Sequence, residues 1–123
     1  ASIAARMQAN ASVSTLPAGG NPYIGFDYEA DGTGLPAGNT SCFGAGACDP
    51  QGLASFDLHE TRLAVHGRFP GGRIAVCRDG APWDAASQRY RWECSDDPPA
   101  PVAIKIGWHG GGDGPGFVSM VAR

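Results

Sequence analysis

Three groups of residues in this 123-residue chain combine types and spacings that could do chemistry. Asp27-x-Glu29-x-Asp31-Gly32 matches the opening half of a calcium loop, in which carboxylate oxygens at alternate positions precede a glycine turn. The bidentate glutamate that closes such a loop would fall at Gly38, so a calcium ion there would need ligands from outside the loop. His59-Glu60 and His66 invite a metal or acid–base reading. The zinc motif H-E-x-x-H needs histidines one helical turn apart. These are seven residues apart, about 10 Å along a helix at ~1.5 Å per residue, too far to share one ion, and a solvated face is expected for them. Asp57 and Glu60 share a helical face and could form a glycosidase-like acid pair. That face is otherwise apolar, and acids there are more simply explained by partners, for Asp57 backbone amides or an arginine. No serine lies in a G-x-S-x-G turn and every cysteine has a disulfide partner available, so no nucleophile is indicated. No catalytic residue, cofactor or enzyme activity is expected. Among the three tryptophans, Trp92 and Trp108 fall on inward-patterned strand faces and are expected in the core. Trp83, in a Pro/Asp loop, is the exposed aromatic platform on which a sugar ring could stack.

The element that must position most of these residues runs from Asp49 to Cys77. Asp49 can cap a helix and Pro50 suits its first position, where a missing N–H costs nothing. The helical pattern spans 49–68, and Phe69-Pro70-Gly71-Gly72 stops it. Projected at about 100° per residue, Ser55, His59, Arg62 and His66 form a polar arc, while Leu53, Phe56, Leu58, Leu63 and Val65 cover a wide apolar one. Upstream, residues 1–10 read as the end of an N-terminal helix, with Ile3 and Met7 on one face. Residues 11–48 read as irregular, with room for a short strand in 23–28. Downstream, period-2 alternation marks strands at 73–77, 89–94, 101–109 and 117–122. The last is apolar on both faces and reads as well covered. Short links predict an antiparallel meander over 73–122, with helices on one face: a single α+β domain over 1–123.

Composition bounds the partners. The net charge is −3, Lys105 is the one lysine, and the arginines are scattered, so nucleic-acid binding is excluded. No stretch approaches the ~18 apolar residues of a membrane span. Nineteen glycines and ten prolines predict long loops. Four cysteines in such a chain point to two disulfides and an oxidising compartment. Their spacings lack the tight pairs of zinc knuckles. Three connectivities exist, of which the two local closures, Cys42–Cys48 and Cys77–Cys94, are preferred.

The order of features then shows a resemblance. An SIAARMQAN helix end is followed by a Gly/Pro-rich loop with Cys-x5-Cys, an acid-Pro helix start, an FPGG turn into a strand ending in Val76-Cys77, and a late IGWHG strand end. This is similar to type IV pilus minor pilins of the PilV kind. The resemblance covers most of the chain, though Phe69 stands where leucine is common and the HGGGDGPG turn is particular to this sequence. It implies a pilin-like fold, an N-terminal helix plus a second helix on a four-stranded antiparallel sheet. It also implies an apolar helix half upstream of Ala1 that anchors in the inner membrane before assembly and packs in the extracellular fibre afterwards. The implied partners are other minor pilins, the major pilin and a pilus-tip adhesin, met through the loops at 11–48 and 78–88. For Glu60 the resemblance implies a neighbouring helix of the fibre. A minor pseudopilin of a type II secretion system shares this architecture, and a small secreted carbohydrate-binding domain is the reading from another class.

Overall fold

The computed structural model describes residues 2–30, 42, 48–69, 71–108, 110 and 112–121. Helix α1 (Ile3–Ala9) starts at Ser2, whose Oγ accepts from the Ala5 N–H at 3.1 Å, and it buries Ile3 and Met7. A single turn, α2 (Ala11–Ser14), buries Val13. Helix α3 (Pro50–Arg68) begins as its sequence demands: Asp49 Oδ1 accepts from the Gly52 N–H at 2.7 Å and Pro50 occupies the first turn. Phe69 is extended and ends it. The chain reverses because Gly71 takes a left-handed φ of +59° and the Gly72 N–H donates back to Phe69 O at 2.7 Å. A Cβ on Gly72 would stand 2.8 Å from that same carbonyl oxygen, so only glycine fits.

Beneath the helices lies an antiparallel sheet in the order β1 (Asp27–Glu29), β2 (Arg73–Arg78), β5 (Val102–Gly107), β6 (Phe117–Val121). The remaining strands, β3 (Trp83–Asp84) and β4 (Arg89–Tyr90), form a separate hairpin. The architecture is therefore α+β, with N-terminal helices on a four-stranded antiparallel sheet and two disulfides, Cys42–Cys48 and Cys77–Cys94. Register sets the two faces. Ile74 opposes Ile106 and Val76 opposes Ile104, and these point into the core with Ile3, Met7, Tyr23 and Leu58. Ala75, Cys77, Ala103 and Lys105 point to the back.

The membership of the sheet differs from the expected meander. Residues 89–94 do not supply its fourth strand; Asp27–Glu29 does, on the far side of β2. The physical reason is Lys105. Its ammonium is wholly buried and donates to Asp79 Oδ2 at 2.6 Å and to the carbonyls of Arg91 and Glu93 at 2.8 and 2.9 Å. Segment 91–94 bends at Trp92, and these carbonyls serve a side chain rather than a neighbouring strand. The same segment is fixed by Cys77–Cys94 and by Arg73, whose Cζ lies 4.3 Å from the Trp92 ring centroid. Trp92 closes down on Gly107, where a Cβ would stand 2.7 Å from the ring. Trp92 and Trp108 are thus outside the core: Trp92 covers the back of the sheet, and Trp108, 39% exposed, stacks on Phe69 at 5.8 Å.

Burial alone would raise the pKa of Asp79. The bonds from Lys105 and from the Ala81 N–H outweigh this and hold its carboxyl below the usual range. A depressed carboxylate contributes stability that is present above its unfolded pKa of about 3.9 and lost as pH falls through the folded value. Asp79→Ala, which strands a buried ammonium, is expected to lower the unfolding free energy by about 3–5 kcal/mol at neutral pH. Asp79→Asn is expected to flatten the fall of Tm with acid below about pH 4. Calorimetry across that range checks both, and parallel acid slopes for wild type and Asp79→Asn would contradict the depressed carboxyl.

Candidate functional site

Asp57, in the first half of α3, gathers the N-terminal part of the chain. Its Oδ1 accepts from Arg6 Nη1 at 2.9 Å and its Oδ2 from the Tyr23 hydroxyl at 2.6 Å. Asn10 Nδ2 donates to that hydroxyl at 3.1 Å and to Pro50 O at 2.8 Å. Burial, reinforced by the bond to Asp57, pushes the Tyr23 pKa far above its ordinary value, so the hydroxyl remains a donor. Asp57 has thus found its arginine, and a tyrosine besides. This is a docking contact, with a donor on each carboxylate oxygen.

These bonds set α1 antiparallel to α3. Asn10 meets Pro50, Arg6 meets Asp57, and Ser2 to Ala4 share a groove with Glu60 to Ala64. Because α3 has 19 residues and α1 only 7, the last turns of α3 run on past the start of α1. Beside them lies an open groove of about 860 Å³. Leu63, Ile104, Ile106 and Phe117 make its walls apolar, and Arg6, Glu60 and Arg68 add charge. Glu60 is half-buried there and makes no ion pair among the described residues.

On the polar arc of α3 Ser55 is exposed, but His59, Arg62 and His66 are half-buried, which corrects the expectation of a solvated face for the histidines. Arg62 Cζ lies 5.0 Å from the Phe26 ring centroid, and His66 Nδ1 lies 3.3 Å from the Tyr28 hydroxyl. His59 is half-buried. The cause is β1 and the residue before it, which bring Tyr28 and Phe26 against this side of α3. Among the described residues, no group of three or more His, Cys, Asp or Glu is placed to hold an ion. Of the calcium-loop residues, Asp27 is held bidentately by Arg73, at 3.0 Å from Nε and 2.7 Å from Nη2. The bond to Asp27 raises the Arg73 pKa. Glu29 is exposed on β1, and Asp31 lies outside the described residues. Trp83 is 50% exposed and stands edge-on to Tyr90 at 5.2 Å.

Tyr23, Asn10, Asp79 and Lys105 escaped the reading of the sequence. One signal was present for Lys105: the chain's single lysine interrupts the apolar strand Val102–Gly107. Comparisons with protein-family models, with curated proteins and with solved structures find no match. The two disulfides indicate an extracytoplasmic, oxidising setting. No helix among the described residues is long and apolar enough to cross a membrane.

Tyr23→Phe removes one bond to a buried carboxylate and is expected to cost about 1.5–3 kcal/mol in urea unfolding. Asp57→Ala, which removes the Arg6 bond as well, is expected to cost about 2–4 kcal/mol. The pair should be strongly non-additive in a double-mutant cycle, because both changes delete the same bond. Simple additivity would contradict the shared contact.

Proposed function

We propose that this chain is the globular domain of a minor pilin of the PilV kind, and that it works by assembly rather than catalysis. The observation that carries this reading is the groove beside the start of α1. A helix continued upstream from α1 would run along the last turns of α3, over Ile104, Ile106 and Phe117, and past Glu60. The resemblance of the sequence supplies such a helix, and the α+β architecture with an N-terminal helix on an antiparallel sheet accommodates it. The inner-membrane helix would anchor the domain facing the periplasm before assembly and pack in the extracellular fibre afterwards. The domain would then meet other minor pilins, the major pilin and a tip adhesin in a complex that initiates the pilus. A pseudopilin of a type II secretion system is the same reading in another machine, and the neighbouring genes separate the two.

The exposure of Trp83 favours one other reading, a carbohydrate-binding domain. Glycan binding that disappears in Trp83→Ala, with no pilin retained on pull-down, would favour it.

The pilin reading makes a specific demand on Ser2. Its backbone is extended and its hydroxyl caps α1. In a chain whose helix continues upstream, Ser2 would become an interior helical residue and the cap would be exchanged for the backbone ladder. Ser2→Ala is therefore expected to cost about 1 kcal/mol in the present chain and close to nothing in one with its natural upstream residues. Thermal melts of both forms measure this. An equal cost in both would show that the helix starts at Ile3 and would remove the reading. Retention of other minor pilins by the full-length protein, and loss of surface pili on deletion of its gene, test the assembly role itself.

A further inference from the structure

The two edges of the sheet are built differently. The β1 edge is three residues long, carries the charged Asp27 and Glu29, and follows Gly25 at a left-handed φ of +93°. Shortness, charge and irregular entry are the devices that keep an edge from pairing with another chain. The β6 edge is also entered irregularly, after Gly112 at φ +100° and through Gly114-Pro115-Gly116, but it is longer and uncharged. It has five residues, Phe117-Val118-Ser119-Met120-Val121, and no charged residue occurs from Gly114 to Val121. The expectation of a well-covered strand is overturned here: Phe117 is 54% and Met120 43% exposed. Among the described residues β6 pairs only with β5, so alternate N–H and C=O groups face outward with no strand to take them.

Such a row of donors and acceptors fits an extended backbone. One strand that fits is β6 of a second copy. Laid antiparallel about Ser119, Ser119 faces its own counterpart, Val118 of one copy meets Met120 of the other, and Phe117 meets Val121. Phe117, Ser119 and Val121 share the helix side of the sheet, opposite Ile106, Ile104 and Val102, and Val118 and Met120 share the back. The register therefore places apolar cross-strand pairs on both faces and sets no charge against a like charge. It holds whichever alternate residues of β6 carry the outward groups, because the two-fold centre lies on a residue.

We propose that the chain self-associates through β6 into a two-fold antiparallel dimer in which two four-stranded sheets become continuous. The strand shares Phe117 and Ser119 with the groove proposed above, but its free edge is a different feature and the proposal does not depend on the assembly role.

Sedimentation of the chain from micromolar to millimolar concentration is expected to show its mass rising from one copy toward two. Met120→Lys, at an exposed site, is expected to weaken the dimer by about tenfold or more with an unchanged melt. Should its melt shift, Phe117→Lys is the second variant. Ser119→Cys, oxidised, is expected to crosslink to itself, since directly opposed residues bring Cβ atoms to about 4.5–5.5 Å. A single-copy mass at every concentration overturns the proposal. So does a dimer that the lysine variants leave intact, one that Ser119→Cys fails to crosslink, or growth beyond two copies.

Discussion

A single buried carboxylate, Asp57, decides where the N-terminal helix lies. Burying it is unfavourable unless both oxygens find donors, and the two donors come from different parts of the chain, Arg6 on α1 and Tyr23 in the segment leading to β1. Satisfying one charge therefore fixes two connections at once. Asn10 extends the arrangement by joining Tyr23 to the first residue of α3. The antiparallel alignment of α1 with α3 follows, and so does the groove that α1 leaves beside the last turns of α3. Apolar packing by Ile3 and Met7 gives α1 its attraction to the core, but the hydrogen-bonded carboxylate gives it an address.

The back of the sheet repeats this logic with the opposite charge. Lys105 can be buried because Asp79 neutralises it and the carbonyls of Arg91 and Glu93 take its remaining protons. In doing so it draws segment 91–94 over β5 without strand pairing. The disulfide Cys77–Cys94 and the Arg73–Trp92 stack hold the same segment on either side. Charged groups thus place a covering layer on each face of the sheet, and the apolar residues between them fill the space so defined. The β6 end of the sheet is where both layers stop: Phe117 lines the groove on one side and Met120 is exposed on the other.

Much of this is visible in the sequence where local chemistry decides. The Asp49-Pro50 start and the FPGG stop bound α3 as it is found, and period-2 alternation locates β2, β5 and β6. Alternation reports an extended backbone, however, and says nothing of what its carbonyls bond. Residues 89–94 alternate as a ladder strand would, yet only Arg89 and Tyr90 pair, in the separate hairpin, and the carbonyls of Arg91 and Glu93 answer to Lys105. Three-residue β1 is too short to show a period at all. Strand β6, apolar on both faces, reads as covered although it stands at an edge. Asp57 is visible as an acid on an apolar arc, and an arginine partner can be anticipated. Its identity cannot, because Arg6 is 51 residues away and Tyr23 34 away, so only the folded chain brings them together.

The central claim is that the groove beside α1 is the seat of a longer N-terminal helix. Hydrogen exchange on a longer chain carrying the upstream helix that the claim requires, held in detergent, tests this most directly when compared with the present chain. The claim predicts continuous helical protection through Ser2 into the upstream residues, together with slower exchange in the amides of Leu63–Val65 and Phe117–Ser119. Upstream residues that exchange as open chain, with the groove amides unchanged, would contradict it.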